Sequence, residues 1–376
     1  MKKTLGEGRT PIKKMKSLIK TTATILLPVI ILAMTGSSQT ATTEVTVLNE
    51  LLFNDPRIFE PPMNGIALQK KLAFPAEPLT AVARLAGNAE GTIFAPDPSM
   101  KVVLKYTSAG EPAGRCEAAG QAWKHLSAPH QVAIGTYRVF IEDVVRQELG
   151  VFSMEGKRLK TLGIIDPVDF SVNAGGLLFV APPVKSKEGP LIEVYTPEGA
   201  KTAAFGEPIH VPFVDPELDS IRLATQSNGH ILAAFRYFPI LRTYSPKGEL
   251  LSDFRIETPI TAVKEKFNLK RIGEGIANVG RRFGYVPIFS AMAVLGERIF
   301  LLSCFPRLDI LEVNNDGKIV ADYWNDDEEI TEAGDLLVRQ VAGKFVFYVL
   351  RISPRRDIIM FATKEDNGRH EVLNAK

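Results

Sequence analysis

The chain has 376 residues, an apolar fraction of 45% and a formal net charge of +2. That is enough for one large domain or two small ones, and the composition is globular with no low-complexity tract. Residues 1–20 hold seven Lys/Arg against one Glu, so the remainder carries about −4 and the basic balance belongs to the leader; this argues against a nucleic-acid role, which needs positive charge concentrated on the folded body.

After the basic leader comes an apolar run over residues 23–34, then the small and polar residues 35–41. A charged region, a short apolar core and small residues describe a secretory signal. The core is shorter than the roughly 20 residues that span a bilayer comfortably. Met15 opens a compact basic region of its own, so the leader either starts there or is simply long. Residues 1–41 are therefore expected to be a signal peptide or, if uncleaved, a membrane anchor. No cysteine follows the core, which disfavours a lipid anchor.

Next come two short β-prone runs, residues 43–47 and 57–59. From residue 78 onward a repeating unit sets in. Each unit opens with an apolar alternating run, often led by a proline, as at Pro78, Pro129 and Pro167. A polar or glycine turn and a second apolar run such as 177–180 or 230–235 follow. A third strand then ends in the phrase aromatic–Ser/Thr–x–x–Gly. The phrase reads Tyr106-Thr-Ser-Ala-Gly110, Phe152-Ser-Met-Glu-Gly156, Tyr195-Thr-Pro-Glu-Gly199 and Tyr244-Ser-Pro-Lys-Gly248, with a worn copy at Val313-Asn-Asn-Asp-Gly317. It is turn chemistry: Pro197 and Pro246 preset φ, and the glycine tolerates a left-handed backbone. A fourth strand follows. Four antiparallel strands in about 40–50 residues make a propeller blade.

Five units begin near residues 79, 131, 168, 219 and 290, and a sixth is expected over 335–361 without its fourth strand. Residues 43–47 or 57–59 could supply that strand and remove the free sheet edge. The expectation is an all-β chain: a six-bladed β-propeller of four-stranded antiparallel blades over residues 42–376, closed by an N-terminal strand and preceded by a signal peptide. Residues 262–286 lengthen one inter-unit gap. Apolar positions from Val263 to Phe283 recur at near-helical spacing with lysines and arginines between them, and four glycines should break the helix. This amphipathic basic insertion reads either as a lid or docking element, or as a segment packed on its neighbouring blade.

The hairpin phrase joined to the proline-led strand resembles the NHL-type (TolB-like) six-bladed propellers over most of residues 78–362. The resemblance implies a scaffold that takes ligands at one mouth of the central channel, from inter-blade loops and the loops between second and third strands. On this register the candidate ligand-binding residues are His130, Asp169, Asp219, Arg236, Tyr237 and Arg307, a mixture of arginine and aromatics suited to recognition; ordinary loop polarity and strand capping would place the same residues there.

Five histidines are scattered, and the nearest pair, His125 and His130, lies across a turn proline. The family includes metal-bearing lactonases and lyases whose ligands follow no short motif, so Ca²⁺ or Zn²⁺ stays open although no cofactor is expected. Nucleophile-elbow, zincin and P-loop motifs are absent, and no catalytic residue is assigned. Cys116 and Cys304 fall in distant units and are expected to be unpaired. The function expected is a secreted or periplasmic, non-catalytic scaffold for a protein or small-molecule ligand. The alternatives are a metal-dependent propeller hydrolase or lyase, and an extracytoplasmic sensor touching the membrane only through an uncleaved N-terminus.

Overall fold

A computed structural model describes residues 60–62, 65–75, 79, 84–115, 126–164, 166–183, 189–209, 216–277, 284–304, 307–326, 330, 332–353 and 355–363. These form an all-β, propeller-like arrangement with one long helix. Four sheets are four-stranded antiparallel meanders. They are β2–β5 (Ala86–Gly87, Ile93–Asp97, Val102–Tyr106, Pro112–Arg115), β6–β9 (Pro129–Ile134, Arg138–Asp143, Glu148–Ser153, Arg158–Leu162), β10–β13 (Asp169–Val172, Leu178–Ala181, Ile192–Tyr195, Lys201–Phe205) and β14–β17 (Ile221–Thr225, Ile231–Phe235, Ile240–Tyr244, Leu250–Arg255).

The remaining strands are β18–β21 (Ala291–Leu295, Arg298–Ser303, Leu308–Val313, Ile319–Asn325), β22–β24 (Glu332–Val341, Lys344–Ser353, Asp357–Thr363) and β1 (Gly65–Phe74). They merge into one eight-stranded sheet, in the order β18-β19-β20-β21-β1-β24-β23-β22. Six separate sheets were expected, and this differs. The cause is β1, which pairs parallel with β21 from Gly65 to Ala67 and antiparallel with β24 from Leu68 to Phe74. An N-terminal strand does complete β22–β24, but it lies later in the chain than anticipated; the predicted runs 43–47 and 57–59 are outside the described residues.

The strand faces explain how the sheets stack. Side chains alternate across a strand. On β7, Val139 and Ile141 face the β2–β5 sheet while Phe140 faces β10–β13. On β19, Ile299 and Leu301 pack toward β14–β17 while Phe300 and Leu302 pack toward β22–β24. Six apolar clusters arise this way, and the last joins Tyr348, Leu350 and Ile358 back to Ile93, Ala95 and Tyr106, so the stack returns on itself.

The recurring phrase forms the turn between the third and fourth strands. In each copy the glycine amide donates to the carbonyl of the Ser, Thr or Asn three residues back, at 2.9–3.0 Å. The hydroxyl adds a second bond where present, as Thr107 Oγ1 accepting from the Glu111 amide at 3.1 Å. The glycines have φ between +75° and +94°. A register shift at the preceding position makes each turn a glycine bulge. Four of these glycines also face a close neighbour: Leu72 and Phe74 at Gly110, Leu162 at Gly199, and an aromatic ring at Gly248 and Gly317. A Cβ on Gly248 would overlap the Phe205 ring, and one on Gly317 the Phe254 ring, both on the last strand of the preceding meander.

Between β17 and β18 runs α1, Pro259–Ala277. Thr258 caps it: its Oγ1 accepts from the Thr261 amide at 3.1 Å, and Thr261 Oγ1 accepts from the Thr258 amide at 2.8 Å. Pro259 stands at the first helical position, where its missing N–H costs nothing. The helix passes through Gly273 and Gly275, where a break was expected. Each glycine costs about 1 kcal/mol, which packing offsets: Ile260, Val263, Phe267 and Ile272 are buried. Among the described residues no helix is long and apolar enough to cross a membrane. Cys304 is a buried free thiol, and Cys116 is outside the described residues.

The close approach at the phrase makes a prediction. Gly248→Ala and Gly317→Ala should each destabilise the fold by about 1–3 kcal/mol in urea titration. Gly296→Ala, with an equally left-handed φ of +65° but open space around the new Cβ, should cost less than either.

Candidate functional site

The first strands β2, β6, β10, β14, β18 and β22 pack in succession and line the axis of the stack. Their entry ends carry the charged residues that define a channel mouth. Arg84, just before β2, reaches across the axis. Its guanidinium pairs with Asp169 at the start of β10 and donates to the Leu223 carbonyl on β14 at 2.9 Å. Asp169 is fully buried, and its second oxygen accepts from the Leu223 amide at 2.8 Å. Asp335 on β22 is buried too, and accepts from the Leu85 amide at 2.6 Å. Burial pushes the Asp335 carboxyl up, against the pull of Arg84. Burial likewise lowers Arg84, with Asp335 opposing.

Two more arginines complete the mouth. Arg222 on β14 donates from Nε to the Ser290 carbonyl at 2.8 Å. Arg236, after β15, is held by its backbone: its amide donates to the Ser220 carbonyl at 2.9 Å and its carbonyl accepts from the Ile288 amide at 2.7 Å. Burial, then the charge of Arg236, lowers the Arg222 guanidinium to about 10, with Asp335 opposing. Arg236 Nε is buried without a hydrogen-bond partner. Among the described residues neither Arg222 nor Arg236 forms an ion pair with a carboxylate. Like charges are thus held together in a low-dielectric wall, which favours an anion between them.

Tyr237 frames this pair. Its hydroxyl donates to Glu217 at 2.7 Å, and burial pushes its pKa above the ordinary tyrosine value. Its ring lies 5.6 Å from the Arg236 guanidinium and 5.7 Å from the Tyr285 ring. Helix α1 is tied down beside it, with Asn268 donating to the Tyr237 carbonyl at 3.0 Å and accepting from the Val286 amide at 2.8 Å. One turn nearer the helix start, Lys264 is fully buried and donates to Ser303 Oγ at 2.8 Å and the Cys304 carbonyl at 2.5 Å.

The six residues singled out from the sequence divide. Arg236 and Tyr237 are in contact just after β15, and Asp169 stands at the start of β10, which packs on β14. Asp169 ties strands together, however, and is a poor ligand contact because both oxygens are engaged. Asp219, in a 3₁₀ turn over Pro216–Asp219, accepts from the Ile209 amide at 2.6 Å and lines a small cavity of about 160 Å³. His130 is half-exposed on β6, with Nδ1 3.2 Å from Glu142 Oε2, and no contact joins it to the arginines. Arg307 sits elsewhere, on a cavity beside β20 and β21. Arg84, Arg222, Glu217 and Asp335 were not anticipated. Arg222 had one visible signal, a charge inside an otherwise alternating strand. Among the described residues no three His, Cys, Asp or Glu side chains are grouped as a metal would require; His125 and His210 fall outside those residues.

No known family matches the sequence, and no curated protein does. Solved structures do resemble the fold. A Bacteroides fragilis protein provisionally described as exported aligns with a TM-score of 0.51 at 8% identity, covering 80% of this chain and 95% of its own. Virginiamycin B lyase from Staphylococcus aureus aligns at 0.49 and 11% identity, over 79% and 99%. The calcium-binding protein regucalcin from Agrobacterium tumefaciens aligns at 0.49 and 10%, over 82% and 98%. These likenesses concern the fold alone; the propeller-like reading rests on the sheets themselves, and the narrower NHL assignment has no matching family.

Two outcomes follow from the electrostatics. Asp169→Ala should cost about 3–5 kcal/mol in chemical denaturation, because it strands the Arg84 charge. The second concerns Asp309 and Asp322 in the Arg307 cavity. Burial raises both carboxyls, Arg307 opposing at Asp309 and the Asp309 charge adding at Asp322. Between the ordinary Asp value of about 3.9 and the raised values of about 6 and about 7 the folded state holds more protons than the unfolded one, so this pair's contribution to stability is full below that window and is lost as pH rises through it. Asp322→Asn should flatten that decline in urea midpoints measured across pH.

Proposed function

We propose that the protein is an exported six-bladed β-propeller, with residues 1–41 as its leader, that binds its ligand at the channel mouth through an anionic group received by Arg222 and Arg236. The observation that carries this reading is the pair of adjacent arginines without a carboxylate partner among the described residues, one with a buried unpartnered Nε. The blade count rests on six inter-sheet clusters and on treating β22–β24 with β1 as one unit, an arrangement related to the NHL-type pattern. Export rests on the basic leader and the short apolar core of residues 23–34.

The chemistry expected is recognition. A planar guanidinium presents a fork of donors that matches a carboxylate or phosphate. Arg222 is anchored through Nε, which leaves its terminal nitrogens for the ligand. Tyr237 and Tyr285 offer an aromatic wall beside the charge, and Glu217 at the rim would favour a ligand that carries donors next to its anionic group. Helix α1 fixes this wall, so the mouth is preorganised and little ordering opposes binding.

A thermal-shift series with phosphate, sulfate and citrate tests this. Millimolar anion should stabilise the native chain, approaching about 2.7 kcal/mol once the anion reaches a hundredfold excess over its dissociation constant. The stabilisation should vanish in Arg222→Gln and in Arg236→Gln. Equal shifts in the native chain and both variants would show general salt effects and overturn the reading.

A further inference from the structure

The Arg307 cavity differs in character from the mouth. It has a volume of about 760 Å³ and lies where the chain before β1, the start of α1, and strands β20 and β21 meet. Asp309 and Asp322 are diagonal neighbours on one face of the β20–β21 ladder, because Asp309 opposes Trp324 and Asp322 opposes Leu311. Asp309 is 2% exposed. One of its oxygens accepts from Arg307 Nε at 2.7 Å; the other is buried with no partner. Asp322 also has a buried oxygen without a partner. Two orphaned carboxylate oxygens bordering one cavity are uncommon, because a buried acceptor left unpaired is costly.

The surrounding charge says what is missing. Glu60 and Glu257 also line the cavity, Glu257 held by Arg255 Nε at 2.7 Å, so acidic residues outnumber Arg307, the one cation among the lining residues. Lys264 acts on Asp309 from behind, but its ammonium is committed to Ser303 and Cys304. The rest of the wall is mostly apolar, with Pro61, Pro62, Pro259, Ile260, Leu311 and Ile319, and Thr258 and Ser303 beside them. A ligand that fits therefore has one positive head with several donors, and an apolar stem.

We propose that this cavity is a second ligand site, which takes an alkylguanidinium group with its planar head shared between Asp309 and Asp322 and its hydrocarbon stem against the proline and aliphatic wall. A guanidinium supplies donors to two separated acceptors at once, which a single ammonium does less well. A divalent ion suits the site poorly, because among the described residues no three carboxylate, histidine or thiol groups are placed to hold one. The site is independent of the channel mouth.

Calorimetric titration of the full chain with n-butylguanidinium tests it, with n-butanol and Ca²⁺ as controls. The guanidinium should bind the native chain and Arg222→Gln alike. Affinity should fall about tenfold or more in Asp322→Asn, and likewise in Asp309→Asn. Asp322 is the less buried of the two, so its variant keeps the test open if the Asp309 variant fails to fold. Absence of binding, undiminished binding in Asp322→Asn, equal binding of n-butanol, or a preference for Ca²⁺ would each overturn the proposal.

Discussion

The bridge from Arg84 to Asp169 is the interaction on which the mouth depends. The segment just before β2 and strands β10 and β14, far apart in the chain, are joined across the axis by one guanidinium and one carboxylate. A buried pair of this kind gains little over an apolar contact, because desolvation consumes most of the Coulombic gain. Its value is positional. Once Asp169 holds the Leu223 amide and Arg84 the Leu223 carbonyl, β14 cannot slip, and its neighbour Arg222 is fixed in direction. Asp335 plays the corresponding part on β22 through the Leu85 amide. With the acids engaged on Arg84 and on backbone amides, Arg222 and Arg236 stand with positive charge to spare.

The same logic sorts polar residues into two sets around the ring. Asp169, Asp219, Asp335 and Asp143 accept hydrogen bonds from backbone amides where the chain passes between sheets. They satisfy donors that the strand ladder leaves over. Arg222, Arg236 and the Asp309–Asp322 pair are the opposite case, with charge or acceptors left unmatched. A protein keeps such groups where something else completes them, or where the fold tolerates a cost. Both unmatched sets lie near α1, whose Asn268 and Lys264 secure the loops on either side.

Much of the architecture could be read from the residues. The aromatic–Ser/Thr–x–x–Gly phrase is a local device, its hydroxyl and glycine serving a turn a few residues long, so it shows in the sequence. Its glycine also answers a contact that no local pattern reveals, the pressure of Phe205 or Phe254 from the preceding sheet. Strand β1 was hidden for a different reason. It is largely exposed at the rim and carries Gln69, Lys70 and Lys71 at its centre, so no alternation marks it. Helix α1 was legible in its apolar spacing, but its passage through two glycines depends on packing. At the site, Arg236 and Tyr237 could be named because they sit in a loop. Arg84 could not, since its partners appear only when the ring brings residues 84, 169 and 223 together. Asp309 and Asp322 likewise look like ordinary strand charges until the ladder sets them diagonally.

The central claim is that the mouth arginines receive an anion, and it can be tested by direct observation. A crystal of the full chain soaked in selenate, with data collected at the selenium edge, would locate the anion by its anomalous signal. The account predicts a peak within hydrogen-bonding distance of both the Arg222 and Arg236 guanidinium groups, lost in crystals of Arg222→Gln. A mouth without a peak, or with Arg222 and Arg236 turned apart onto protein carboxylates, would contradict it.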